Sequence, residues 1–358
     1  MFKFRNIDSF LRGRFEKVGT LKGKRWYTDT KTSRYGLFKP QRNEHGDKSV
    51  FCANHYGEFI GYLLARNVLI PTCEAELANL TKYYKDIYKE RYGGTPVNKN
   101  GCIIYSLLKP GEILEPGLVT IEKAMKLHED DFKCITKNER RSNENDNIEV
   151  ILKAIQHRTR DFYKTNNTKN YSEDDIEKKV AYNVDKTIQM MVYDCLYGNN
   201  DRHDENWSMV IMNDCSDIAL YPLYDNERIL GLYENQRTIE TALRKNIVSE
   251  LSEKTLFSRM RVPGEKKENS TYKDVLKYLI HKYPNQTKSA MQKQLSINTP
   301  EKVGSFLEDC ESLPKCYVEF GKEMYADRYL FARDLLNRNL ELEETRENGR
   351  YWFNKRII

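Results

Sequence analysis

Residues 197–207, YGNNDRHDENW, concentrate side chains that bind metal ions and move protons. The stretch holds three Asp or Glu, three Asn, one His and one Arg. Before it, apolar residues recur at every fourth position from Ile176 to Val192, and Ser172 with Asp175 makes a capping box ahead of them. The pattern predicts an amphipathic helix that ends near Leu196 and leads directly into this polar loop.

The residues after the loop predict a hairpin whose second strand ends in another carboxylate. WSMVIM (207–212) and IALYPLYD (218–225) are short apolar runs, and the second ends at Asp225. Asp201 could accept a proton from a hydroxyl group, and the oxygens of Asn206 and Asp225 are suitable ligands for Mg²⁺. An Asp, an Asn five residues later and an Asp beyond a hairpin are typical of phosphoryl-transfer enzymes.

Such an enzyme needs a phosphate-covering loop, a lysine on a strand and a glutamate that orients it. The sequence offers all three in that order: GTLKGK (19–24), Lys39 at the end of YGLFK, and Glu58 in the next predicted helix. The candidate phosphate-binding residues of the loop are Gly19, Thr20, Lys22, Gly23 and Lys24. Taken alone, Lys39 could be an ordinary surface lysine and Glu58 a solvated glutamate. The kinase interpretation therefore depends on finding them in this order before Asp201, Asn206 and Asp225.

The predicted secondary structure changes along the chain from mainly strands to mainly helices. Strands are expected at 25–28 and 34–40, and a helix at 54–67 with Asn54 as its cap. Residues 2–15 could form a short amphipathic segment, and Asn100-Gly101 predicts a hairpin turn. KPGE (109–112) breaks the structure, and the residues after it are mainly helical. The fold class is therefore α+β.

Charge, cysteine content and hydropathy limit the ligands and the cellular location that the sequence allows. The net charge is +6 over 358 residues without a dominant basic block, so nucleic acid is not expected as a direct ligand. The eight cysteines contain no CxxC pair, which disfavours a zinc ribbon or a secreted disulfide framework. No secretory signal or membrane span is predicted, so a cytoplasmic location is expected, with non-classical secretion as an effector left open.

GNNDRHDEN and PLYDN resemble the catalytic segment of HipA-type serine/threonine kinases and their smaller CtkA-type relatives. The D-R-H-x-x-N core is also similar to the catalytic loop of phosphatidylinositol 3/4-kinases. LFKP (37–40) and GEFIGYLLARNVLIP (57–71) fit the same family, and the resemblance covers roughly residues 15–335. HipA-type toxins carry an extra N-terminal subdomain, whereas only about twenty residues precede the loop here, which favours the shorter relatives.

The resemblance implies a two-lobed protein-kinase-like fold. Its N-lobe would be residues 1–108, its hinge 109–112, and its helical C-lobe 113–358 with the catalytic loop at 198–206. Asp201 would be the catalytic base, Asn206 and Asp225 would hold Mg²⁺, and Lys39 would contact the ATP phosphates. The segment that runs along the adenine would consist of Tyr105, Ser106, Leu107 and Leu108.

Several alternatives stay open at this stage. His203 could be a second catalytic proton acceptor or could hold the loop in shape, and Arg202 could neutralise phosphate or pair with an acidic neighbour. The expected activity is ATP- and Mg²⁺-dependent phosphorylation of Ser or Thr hydroxyls, with Tyr not excluded, on a protein substrate and on the enzyme itself. A phosphoinositide or small-molecule kinase, a nucleotide-binding pseudokinase and a divalent-metal hydrolase are the competing interpretations.

Overall fold

The computed structural model describes residues 1–12, 24–41, 52–80, 99–136, 147–165, 171–254, 260–263 and 270–354. The predicted phosphate-binding residues Gly19, Thr20, Lys22 and Gly23 lie outside these ranges.

The N-terminal part is built on a sheet that has six strands within the described residues. The strands are β1 (Arg5–Asn6), β2 (Leu11–Arg12), β3 (Arg25–Asp29), β4 (Arg34–Pro40), β5 (Ala75–Asn79) and β6 (Asn100–Tyr105). Their order is β1-β5-β6-β4-β3-β2, and every pair is antiparallel except β1 with β5. The predicted strands at 25–28 and 34–40 are confirmed as β3 and β4. The start of the chain forms two short strands, not one amphipathic segment.

Helix α1 (Asn54–Asn67) packs on one face of this sheet, as its apolar spacing predicts. The expected cap was wrong: the residue at the N-cap position is Ala53, with no side-chain hydrogen bond. Asn54 is buried in the first turn, because the helix begins inside the protein and its start is fixed by packing.

The expected hairpin turn at Asn100-Gly101 was also wrong. Both residues lie within β6, where Gly101 pairs with Pro40 on one side and with Ala78 on the other. Two neighbouring strands satisfy the backbone of β6 here, so pairing extends through a dipeptide that would favour a turn in isolation.

A smaller antiparallel sheet begins the second part of the chain. It contains β7 (Ile113–Pro116), β8 (Ser208–Ile211) and β9 (Ile218–Leu220), in that order. β8 and β9 confirm the predicted hairpin. The predicted hinge at 109–112 falls in the connection between β6 and β7, and the division of the chain at this point stays a prediction.

The remaining elements are helices, as expected for this part of the chain. They are α2 (Gly117–Leu127), α3 (Glu129–Thr136), α4 (Ile148–Thr165), α5 (Glu173–Tyr197), α6 (Gln236–Lys245), α7 (Val248–Lys254), α8 (Tyr272–Lys282), α9 (Pro284–Ile297), α10 (Pro300–Glu308) and α11 (Lys315–Asn354). Ser172 caps α5 by accepting from the N–H of Asp175, as predicted. Within the described residues, no helix is both long and apolar enough to span a bilayer.

Among the described residues, two clusters of buried apolar side chains hold the sheet and the helices together. A small core that includes Ile7, Tyr27, Phe38 and Ile103 lies on one face of the N-terminal sheet. A much larger core joins the other face of the sheet through α1 to the helices. Asn183 of α5 fixes the β8–β9 hairpin to that core, since its amide donates to the Ile218 carbonyl (3.2 Å) and accepts from the Leu220 N–H (3.1 Å).

Candidate active site

Lys39, Glu58 and Asp225 meet although they are far apart in sequence. The ammonium group of Lys39, at the end of β4, donates to Glu58 Oε1 of α1 and to Asp225 Oδ1 at 2.6 Å. Lys39 and Glu58 are buried, and Asp225 is partly buried. The structure therefore brings together the strand lysine, the helix glutamate and the aspartate beyond the hairpin that the sequence singled out.

Burial disfavours the charged form of each group in this cluster, and the opposite charges of its neighbours favour it. Burial opposes the charge of Lys39, but Asp225 and Glu58 raise its pKa above the ordinary 10.5, so its ammonium group stays protonated. Burial opposes ionisation of Asp225, yet Lys39 and Lys24 lower its pKa below the ordinary 3.8. Burial raises the pKa of Glu58 although Lys39 acts in the opposite direction.

Lys24 is the one residue of the predicted phosphate-binding loop within the described ranges. Burial and the charge of Lys39 lower its pKa from 10.5, while Asp225, Glu227 and Glu58 act in the opposite direction. Two lysine side chains thus act on the same group of carboxylates.

The segment that carries Asp225 is pressed against α1. Asp225 has a left-handed backbone conformation (φ 56°), which costs energy for any residue but glycine. The N–H of Asn226 donates to Glu58 Oε2 at 2.9 Å. A Cβ atom at Gly57 would lie 2.4 Å from the Glu227 carbonyl oxygen, so only glycine permits this approach. These contacts hold Asp225 against Lys39 at the expense of local backbone strain.

A cavity of about 320 Å³ opens beside the cluster, and both Lys39 and Asp225 contribute to its wall. Its apolar lining includes Leu37, Ile104, Leu108 and Leu114, together with the ring of Trp26. The Trp26 ring stacks on Tyr35 with a centroid distance of 4.4 Å, which stiffens this side of the wall. An apolar cleft that ends at paired charges is suited to a flat ring that carries phosphates.

Three of the four residues predicted to run along the adenine, Tyr105, Ser106 and Leu108, line this cavity. The fourth, Leu107, has a side chain that is 43% exposed, and its N–H donates to the Tyr221 hydroxyl at 3.0 Å. The segment 105–108 thus runs along the cavity and is anchored to Tyr221 in the second part of the chain.

The loop after α5 is tightly wound around Asp201. The Asn206 side-chain amide donates to the Asp201 carbonyl at 2.6 Å, and this bond joins the two ends of the D-x₄-N motif. The Asp201 carboxylate pairs with the Arg228 guanidinium, with 3.0 Å between Oδ2 and Nε. The Arg228 guanidinium also lies over the Tyr233 ring, 4.2 Å from its centroid.

Arg202 pairs with an acidic neighbour, which was one of the two roles considered for it. Its guanidinium is buried and makes two bonds with the Asp194 carboxylate, at 3.0 and 3.1 Å. It also donates to the carbonyls of Asn206 (2.8 Å) and Tyr224 (2.5 Å). One side chain therefore holds the backbone of Asn206 and of Tyr224, and so positions the two candidate Mg²⁺ ligands, Asn206 and Asp225.

His203 contributes to the shape of the loop. Its Nδ1 accepts from the Glu205 N–H at 3.2 Å. This bond fits the loop-holding interpretation, and a proton-transfer role for His203 stays a prediction.

Sequence reasoning missed several residues of the site. Glu227 has a carboxylate oxygen within 4.8 Å of those of Glu58 and Asp225, so it belongs to the charged cluster. Its position two residues after Asp225 could have indicated that it belongs to the site. Trp26, Cys73 and Tyr221 line the cavity, but nothing in their local sequence distinguishes them from ordinary strand or core residues.

A β-rich N-terminal part, a helical C-terminal part and a lysine–carboxylate cluster beside a cavity define a two-lobed kinase-like fold of the α+β class. The crystal structure of the proinflammatory kinase CtkA from Helicobacter pylori is similar to this chain, with a TM-score of 0.67 and 14% sequence identity. The match covers 95% of this chain and 99% of CtkA. The fold expected from the sequence is thereby confirmed.

The complex of HipA, HipB and operator DNA from Shewanella oneidensis MR-1 is also similar. That match has a TM-score of 0.48 and 11% identity, and it covers 88% of this chain and 65% of the other. No protein-family model matches the chain. No curated protein matches it in sequence.

Proposed function

We propose that this protein is a kinase that transfers the γ-phosphoryl group of ATP to Ser or Thr hydroxyls of a protein, including its own. The observation that carries the proposal is the Lys39–Glu58–Asp225 cluster in the wall of an apolar cavity. Kinases need a fixed cation for the nucleotide phosphates and a carboxylate for the metal, both next to a base-binding pocket. The similarity to CtkA supports the proposal at the level of the fold.

Each part of the site has a role in this reaction. The cavity wall at Ser106 and Leu108 would contact the adenine, and Lys39 and Lys24 would face the phosphates. Asp201 would orient the acceptor hydroxyl and take its proton, which then resides on the carboxylate. Arg228 holds the Asp201 carboxylate in the present arrangement.

The residues present suit a magnesium ion. Asp225 provides a carboxylate whose pKa is lowered, against the effect of burial, by Lys39 and Lys24, and Asn206 provides an amide oxygen, both of which are hard ligands. Arg202 connects the segments that carry these two ligands, because it donates to the carbonyls of Asn206 and Tyr224. When bound, the ion would offset negative charge on the phosphates.

The test is incubation of the purified chain with γ-labelled ATP and Mg²⁺, followed by mass spectrometry. Asp201→Asn should lower labelling by about 10²–10⁴-fold through loss of the base, and Asp225→Asn should abolish it. Asp214→Asn, at an exposed position in the β8–β9 turn, is the matched control and should label like the wild type. The segment 226–250, which follows Asp225, contains Tyr233, Thr238 and Thr241, and phosphate on any of these would identify it as the autophosphorylation site.

The other outcomes discriminate the alternatives. ATP binding by calorimetry without protein labelling would point to a phosphoinositide or small-molecule acceptor, or to a pseudokinase. Absence of ATP binding in the correctly folded protein would refute the kinase proposal.

A further inference from the structure

A second group of ionisable side chains lies away from the nucleotide cavity, where α2, α3 and α4 meet. His128 follows the end of α2, and Asp131 lies in the first turn of α3. His157 and Asp161 are four residues apart in α4 and therefore project from the same face of that helix. None of these four residues lines the cavity described above.

The donor atoms of the group are already close together. His128 Nε2 lies 2.8 Å from Asp161 Oδ2, and His157 Nε2 lies 3.1 Å from Asp131 Oδ2. Donor atoms of His128, Asp131 and His157 all lie within 4.8 Å of one another. Four ligands at 2.0–2.1 Å around a tetrahedral ion are separated by about 3.3 Å, so the three donors must draw closer together and the Asp161 carboxylate must reach the ion from its place beside His128.

The composition of the group favours a transition metal over Ca²⁺ or Mg²⁺. Imidazole nitrogen is a preferred ligand of Zn²⁺ and its neighbours in the first transition row, whereas the alkaline-earth ions prefer sites made of oxygen.

Coordination requires a change in the arrangement of the two histidine side chains. The two imidazole rings are stacked, with centroids 4.0 Å apart and an angle of 19° between their planes. Both rings must turn for their nitrogens to point to one centre. The side chains of His128 and His157 are 29% and 15% exposed, and Asp131 is 57% exposed, so the group lies at the border of the solvent.

We propose that His128, Asp131, His157 and Asp161 form a binding site for a divalent transition metal, with Zn²⁺ as the ion that fits best. The bound ion would connect the end of α2, the start of α3 and the middle of α4. Because binding favours the folded state alone, it should stabilise this part of the helical lobe.

The test is calorimetric titration of the full chain with ZnCl₂ after treatment with a chelator. We expect one binding site in the wild type and an increase in melting temperature of at least about 3 °C at saturation. In metal sites, loss of a residue that only supports a ligand typically costs about 10–100-fold in affinity. Because His157 is proposed as a direct ligand, His157→Ala should weaken binding by at least about 100-fold. Asp161→Asn should weaken it by at least about tenfold.

Two control variants separate this site from adventitious binding. His281→Ala removes an exposed histidine of α8, and Cys215→Ser removes an exposed free thiol, and both should bind Zn²⁺ like the wild type. A Co²⁺ titration should give the intense visible absorption of tetrahedral coordination, and His128→Gln should abolish it.

The proposal would be overturned if His157→Ala, with unchanged circular dichroism, bound Zn²⁺ as tightly as the wild type. Loss of binding in Cys215→Ser or His281→Ala would equally overturn it, as would the weak absorption of octahedral Co²⁺.

Discussion

Replacement of Arg202 tests whether one buried side chain holds the catalytic loop together. The guanidinium makes five hydrogen bonds: two with Asp194, and one each with the Asn206 carbonyl, the Tyr224 carbonyl and the Asn226 side chain. Asp194 is itself only 2% exposed, so removal of Arg202 leaves a buried carboxylate without its counter-ion. Breaking such a pair typically costs about 3–5 kcal/mol, and we expect that loss for Arg202→Met.

A surface pair of the same geometry provides the control. Arg160 makes two bonds with the Glu177 carboxylate, at 2.8 and 3.0 Å, but both side chains are solvent-accessible. Arg160→Met should cost no more than about 1 kcal/mol, because exposed ion pairs contribute little. The contrast between the two variants isolates the effect of burial.

Urea denaturation followed by tryptophan fluorescence and circular dichroism measures both costs. Burial raises the pKa of Asp194 even with Arg202 present, so the carboxyl group resists ionisation once its partner is lost. The double variant Asp194→Asn/Arg202→Met should therefore recover at least about 1 kcal/mol relative to Arg202→Met. The reasoning is refuted if Arg202→Met is no more destabilising than Arg160→Met, or if the double variant recovers nothing.

Three further predictions concern the elements around the site. Gly198 ends α5 at φ 76°, so Gly198→Ala should lower the free energy of unfolding by at least about 1–2 kcal/mol in urea denaturation, and an unchanged midpoint would contradict this. Burial raises the pKa of Cys73 to about 11, so iodoacetamide at pH 8 should alkylate exposed Cys215 and spare Cys73, as peptide mass spectrometry would show. Burial opposes ionisation of Glu115, but Arg158 lowers its pKa below 4.5, so its stabilising effect should be full above that pH and be lost below it. The stability difference between wild type and Glu115→Gln should therefore shrink as the pH falls below 4.5, and a constant difference would contradict this.

The sequence predicted those parts of the fold in which local patterns and tertiary packing agree. The apolar spacing before residue 197 predicted α5, and its Ser172 cap and its end at Tyr197 agree with the structure. The expectations for Asn54 and for Asn100-Gly101 failed for a shared reason. Both expectations depended on the local preference of a residue or a dipeptide. In the folded chain, neighbouring strands and helices determine the backbone conformation at these positions.

The residue types and their order along the chain were sufficient to propose the members of the active site. Lys39, Glu58 and Asp225 were singled out because a strand lysine, a helix glutamate and a carboxylate beyond a hairpin occur in that order. The residues that hold them in place gave no such signal. Nothing in the sequence shows that Arg202 bonds to Asp194, or that Gly57 lets α1 approach Glu227.

The sequence by itself determined which side chains can do chemistry, because residue type and spacing fix what each group can donate, accept or bind. The tertiary structure alone decided which groups meet, since contact between residues 186 positions apart, as for Lys39 and Asp225, depends on how the sheet packs on the helices. The same reason explains the His128–His157 pair, whose members are 29 positions apart in sequence and stack only because α2, α3 and α4 converge. Burial, which sets the charge and strength of each of these contacts, likewise exists only once the chain is folded.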